Sequence, residues 1–90
     1  MNGRIYIAGV IGISDFDQAE KTIALKGDEP VNPLRFCDDG MDWRRMMRLR
    51  LKKLADCDGI YMLKGWKMSK EAKMEHFVAL KLKLSIELEK

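Results

Sequence analysis

An α/β fold, a small parallel sheet of about four strands flanked by helices, is predicted by three observations. RIYIAG (4–9) is a short apolar run ending in glycine, and GIYMLK (59–64) is a second; both have the profile of strands buried on two faces. Strand and helix signals alternate along the chain. Parallel strands need crossover connections, so alternation of this kind puts helices on both faces of the sheet.

The elements follow in order. After the first strand come Gly9 and Gly12, then Ser14-Asp-Phe-Asp17, a capping-box pattern with Ser14 as N-cap and an acid three residues on. A helix over 15–26 would bury Phe16, Ala19 and Ile23 and stop at Gly27. Prolines at 30 and 33 leave room for only a short extended piece over 29–33. A loop through Cys37, Asp38, Asp39 and Gly40 leads to a helix over 43–55 that Asp42 can cap. Asp58 introduces the second buried strand, Gly65-Trp66 forms a turn, Ser69 caps a helix over 69–83, and LSIEL (84–88) is the last strand.

Ninety residues suffice for one domain, and 47% hydrophobic with 34% charged residues is ordinary globular composition. A chain this small has a thin stability margin, so self-association into a dimer or larger homo-oligomer is expected. Cys37 and Cys57 have neither metal-ligand spacing nor a disulfide framework, which fits a reducing setting. No apolar run reaches membrane-spanning length and the N-terminal stretch lacks a signal-peptide layout, so a cytoplasmic location without membrane association is expected. The net charge of +3 is uneven: Arg44, Arg45, Arg48, Arg50, Lys52 and Lys53 crowd into ten positions with no acid among them. Aromatic residues do not interleave them after Trp43, which argues for a solvated helix face and against nucleic acid.

Two charges break the pattern. On the third helix, positions 75, 78, 79 and 82 share one stripe; three are Val78, Ala79 and Leu82, and the fourth is Glu75. On the second, positions 43, 46, 47, 50, 51 and 54 form the apolar face, and position 50 is Arg. A buried carboxylate costs several kcal/mol unless it is paired or hydrogen-bonded, so Arg50 is its natural partner. In open parallel sheets ligands sit beyond the carboxyl ends of the strands. Three loops lie there: Gly9–Ser14, the Asn32-Pro33 region and Lys64–Ser69. Helix N-termini at 14–15 and 69–70 would favour an anion in the same crevice.

The strings IYIAG, VNP and CDGIYMLKGWKMSKEAKMEH, in order over nearly the whole chain, resemble the nucleoside 2-deoxyribosyltransferase superfamily, and within it the short domain-of-unknown-function family 4406 branch. The resemblance implies a flavodoxin-like doubly wound sheet, oligomeric assembly, no cofactor and no metal, and a small-molecule nucleoside or nucleotide as ligand. It implies cleavage or transfer of the N-glycosidic bond of a deoxyribonucleoside or its 5′-monophosphate through a glutamate nucleophile, whose position is Glu75. Ser69 matches the position where nucleotide-acting members have serine. Tyr6 matches a tyrosine lining the sugar site. Gly9 opens the loop near the ligand's 5′ end, with Gly12 in the same loop, and Asp58 matches a structural aspartate.

Three departures separate the chain from that pattern. A carboxylate assigned to the leaving base precedes Asp58 by eight residues in the superfamily, and here the position is Arg50. The glycine of the branch's S-x-G-A is Glu71, and the first loop reads GVIGI in place of G-P-I-T-G. Arginine does not give up its proton as a general acid, but it binds phosphate bidentately. Two functional readings therefore stand: an N-glycosidic enzyme acting through Glu75, and a catalytically silent nucleotide-binding or oligomerisation module of the same fold. The enzyme requires an open crevice with Glu75 reachable by solvent. The silent module requires Arg50 and Glu75 closed on each other with Glu71 filling the loop. Each residue also has a plain structural reading: Ser69 as helix cap, Tyr6 as core packing, His76 and Trp66 as packing or interface residues.

Overall fold

A computed structural model describes residues 3–38 and 40–90; Asp39, in the loop before the second helix, lies outside the described residues. Four strands, β1 (Arg4–Ala8), β2 (Glu29–Val31), β3 (Gly59–Met62) and β4 (Ser85–Leu88), form one sheet in the order β2-β1-β3-β4 with every pair parallel. Three helices, α1 (Phe16–Leu25), α2 (Trp43–Ala55) and α3 (Lys70–Lys81), flank it. The chain leaves β1 toward β2 and returns to the other side for β3, the doubly wound arrangement in which strand order reverses beside the first strand.

Alternation along β1 divides the core. Ile7 points to the α1 side with Phe16, Ala19, Ile23, Tyr61 and Leu63. Tyr6 and Ala8 point to the other side, where Leu54 of α2 and Ala72 and Ala79 of α3 close over Ile60 and Met62. Each fully buried Leu, Ile or Phe contributes roughly 1.5–3 kcal/mol, so both layers are needed to hold a sheet this small.

The helices start one residue away from, or at, their expected caps. Asp15, not Ser14, caps α1, its side chain accepting from Gln18 N. Ser14 instead turns its Oγ back to accept from Val10 N at 2.9 Å, bracing the loop after β1. Asp42 caps α2 and Ser69 caps α3 as expected. Gly27, at φ +86°, follows the end of α1 where a left-handed residue is needed.

α3 is shorter than its periodicity suggests. Lys83 takes a left-handed conformation at φ 59°, and Leu84 N reaches back to Ala79 O at 2.9 Å, closing the helix as a Schellman turn. Leu82 therefore sits at the cap and is half exposed, and the buried line of α3 is Ala72, Glu75 and Ala79. Short 3-10 turns at Pro33–Arg35 and Trp66–Met68 occupy stretches expected as loop and turn. Asp58 is structural: its Oδ2 accepts from Arg4 N at 2.9 Å and fixes the start of β1. Among the described residues, no helix is long and apolar enough to cross a membrane.

Candidate functional site

Three elements each contribute one polar side chain to the layer between the sheet and α2/α3. Tyr6 comes from the middle of β1. Arg50 lies between Met47 and Leu54 on the inward face of α2, and Glu75 lies between Ala72 and Ala79 on α3. The alanines flanking Glu75 leave the room that a full arginine side chain occupies.

The three groups form a closed cluster. Arg50 Nε donates to Glu75 Oε2 at 2.9 Å and Nη2 donates to Oε1 at 3.0 Å, a bidentate pair. The same Nε also reaches the Tyr6 hydroxyl oxygen at 3.2 Å, and that hydroxyl donates to Glu75 Oε2. The Arg50 and Glu75 side chains are 1% and 0% exposed. Burial, then the Glu75 charge, pushes the Tyr6 phenol far above its ordinary value, so it stays a donor. Burial pushes the Glu75 carboxyl up against the opposing pull of Arg50. Burial alone would lower Arg50, but the Glu75 charge together with Tyr6 and the hydrogen bonds to both outweighs it and holds the guanidinium above its ordinary value.

A crevice of about 330 Å³ opens above this cluster, at the carboxyl ends of β1 and β3. Gly9, Val10 and Ile11 form one wall, Met46 and Arg50 belong to α2, and Met68, Ser69, Lys70 and Glu71 supply the α3 side. Arg50 thus belongs to both the cluster and the crevice. Its third nitrogen, Nη1, makes no hydrogen bond among the described residues. Gly9 is essential to the wall: a Cβ there would lie 2.8 Å from Ser14 Oγ and 3.0 Å from Leu63 Cβ.

The N-terminus of α3 is already partly engaged. Ser69 Oγ accepts from Ala72 N at 3.0 Å and donates to Glu71 Oε1 at 3.3 Å. Glu71 Oε2 accepts from the Trp43 indole at 2.8 Å, and Lys70 Nζ stands 4.7 Å above the Trp43 ring. The Trp43 hydrogen bond, with help from the Glu71 backbone N–H and Ser69, holds the Glu71 carboxyl below its ordinary value despite partial burial.

Of the residues singled out from sequence, Tyr6, Arg50 and Glu75 meet in the cluster, and Gly9, Arg50 and Ser69 line the crevice. Gly12 is exposed at the loop tip with open space around it and does not line the crevice. The Asn32-Pro33 region also lies apart; Asn32 is buried and accepts from Leu34 N to cap the 3-10 turn. Trp66 and His76 stack on each other, ring centroids 4.4 Å apart. Arg44, Arg45, Arg48 and Lys52 are exposed, Lys53 is half-buried with its Nζ 5.7 Å from the Phe36 ring centroid, and Arg50 alone of the run is fully buried. Sequence reasoning missed the Trp43–Glu71 bond. Its only signal was an indole at the first position of the inward face of α2, opposite an acid in the first turn of α3.

The family model described as Domain of unknown function (DUF4406) matches residues 3–88. No curated protein matches the chain.

Proposed function

The chain belongs to the DUF4406 family, and we propose that it is a nucleotide-binding module, similar to nucleoside 2-deoxyribosyltransferases, in which Glu75 serves as a structural ion-pair partner and not as a nucleophile. One observation carries this reading: both Glu75 oxygens are taken by Arg50 and Tyr6, with the carboxylate sealed from solvent. Attack on a sugar carbon needs a free oxygen lone pair about 3–3.5 Å from the reacting atom, and no substrate atom reaches Glu75 in this arrangement.

The crevice supports a phosphorylated ligand. Arg50, Ser69 and the first residues of α3 line it, and guanidinium and helix N–H groups are the donors that phosphate oxygens accept from. Glu71 is the one acid among the lining residues and opposes a second negative charge there, which favours a monophosphate over more highly charged ligands. A volume of about 330 Å³ is at the small end of ligand sites.

N-glycosidic cleavage is the second reading, favoured by the double position of Arg50. A phosphate that drew the guanidinium toward the crevice would leave Glu75 with Tyr6 alone. Calorimetric titration with deoxyribonucleosides and their 5′-monophosphates, run beside chromatography for free base, separates the two. The binding module gives heat with monophosphates, little with nucleosides, and no free base at long times. Base release by wild type that Glu75→Gln abolishes would overturn it in favour of the enzyme. No binding by any member of the panel would overturn the nucleotide reading itself.

A further inference from the structure

The two outer edges of the sheet are built differently. At the β2 edge, Glu29 N donates inward to Gly3 O at 2.8 Å, so the two-residue alternation of a strand turns Pro30 outward. Its nitrogen carries no hydrogen, and the edge offers a partner no donor at its centre. At the β4 edge, Ser85 N and Glu89 N donate inward to Asp58 O (3.2 Å) and Met62 O (2.8 Å), which turns the N–H and C=O groups of Ile86 and Leu88 outward. β4 has no second neighbour among the described residues. No proline or glycine interrupts 84–88. The nearby acids are occupied elsewhere: Glu87 binds Lys26 at 2.6 Å, and Glu89 accepts from Lys64 N at 2.8 Å.

We infer that β4 pairs antiparallel with β4 of a second copy of this chain, about a two-fold axis at Ile86, to make one continuous sheet through both. The sequence is self-complementary about that point. Ile86 meets its own copy, Leu84 meets Leu88, and Ser85 meets Glu87. Ile86 can thus exchange both hydrogen bonds with its own copy, as an antiparallel ladder requires, and Leu88 N–H faces the outward Leu84 C=O, the Leu84 N–H being held by Ala79 O. Leu84 and Ile86 pack on the α2/α3 side, so Leu84, Ile86 and Leu88 of the two copies form one apolar row.

The neighbouring registers are worse. An axis at Glu87 sets Glu87 against itself, placing like charges directly opposite. An axis at Ser85 sets Leu88 against Leu82, which is a helix cap and not strand. Leu88 is 55% exposed in the single chain, and Leu80 and Leu82, at the end of α3 that leads into β4, are half exposed. An isologous contact would cover this apolar surface, which has no other cover among the described residues.

The test is sedimentation equilibrium combined with hydrogen exchange of the β4 amides. Wild type should sediment as a dimer, with the Ile86 and Leu88 amides protected at high concentration and losing that protection on dilution. Leu88→Lys and Ile86→Pro should both yield monomers with unchanged circular dichroism. The proline removes an outward donor, as at Pro30, but also trims the Ile86 packing against the core, so Leu88→Lys decides alone if the proline variant fails to fold. A monomeric wild type at its highest soluble concentration would overturn the inference. So would a dimer that survives Leu88→Lys, or fast exchange at Ile86 and Leu88 in a dimer.

Discussion

Arg50 and Glu75 meet fork to fork, Nε to Oε2 at 2.9 Å and Nη2 to Oε1 at 3.0 Å, and so join α2 to α3 directly beneath the crevice. Glu75 is sealed from solvent and Arg50 touches the crevice with only 1% of its side chain exposed, so each charge depends chiefly on the other and on Tyr6 for the hydrogen bonds that water would supply.

Removing one partner should therefore cost more than removing both. Arg50→Ala or Glu75→Ala is expected to lose about 3–5 kcal/mol, because a single buried charge is left without its counterion. Arg50→Met combined with Glu75→Leu should recover part of that loss, since an apolar pair of similar volume avoids desolvating either charge but leaves the buried Tyr6 hydroxyl without its partners. Urea midpoints of the three variants measure this. A double variant as unstable as the singles would refute the ion-pair account.

Gly9→Ala should destabilise the loop after β1. The added methyl would lie 2.8 Å from Ser14 Oγ and 3.0 Å from both Leu63 Cβ and Cδ1. Overpacking of this kind costs about 1–3 kcal/mol. Adding Ser14→Ala should restore little, because Leu63 remains in the way and Val10 N loses its acceptor. Thermal melting of the single and double variants checks the order.

The Trp43–Glu71 bond makes an acid-sensitive latch at the crevice rim. Trp43 foremost holds the Glu71 carboxyl below its ordinary value of 4.5. A depressed folded-state pKa means that the stabilisation is complete above the unfolded value and is lost as pH falls through the folded value. Trp43 fluorescence, read in a Trp66→Phe background, should hold steady down to pH 4.5 and change below it. In Glu71→Gln that acid transition should vanish.

The two thiols should differ in reactivity. Cys57 is 5% exposed, its Sγ lies 3.2 Å from Lys53 O, and burial pushes its pKa up to about 11. Cys37 is half-buried, and burial raises its pKa as well. At pH 8 a thiol reagent should modify Cys37 slowly and leave Cys57 intact until denaturant is added. Equal rates at the two positions would contradict the packing around Cys57.

The strands and helices were legible because their signals are local: a buried apolar run, a 3.6-residue stripe, a capping side chain. The anomaly at Arg50 and Glu75 was legible for the same reason, since a charge on an apolar stripe stands out wherever the fold carries it. What sequence could not supply were the contacts set by how elements cross. Tyr6 read equally well as core or as a ligand wall, and only the approach of α2 and α3 over β1 gives its hydroxyl two charged neighbours. Trp43 and Glu71 meet across two helices for the same reason. Ser14 and Asp15 compete for one cap with near-equal propensity, and the loop decides by giving Ser14 a different hydrogen bond.

The central place of β1 bears on the order in which the molecule assembles during synthesis. β1 leaves the ribosome first, yet Ile5 pairs with Pro30 on one side and with Gly59 on the other, so its second neighbour is translated 54 positions later. Closing loops of that length before any sheet contact forms is slow. Tyr6 waits longer still, for Glu75 on α3. The earliest of the four strands thus waits for α3 to complete its surroundings, and pulling force on a stalled nascent chain should rise only after α3 has cleared the exit tunnel.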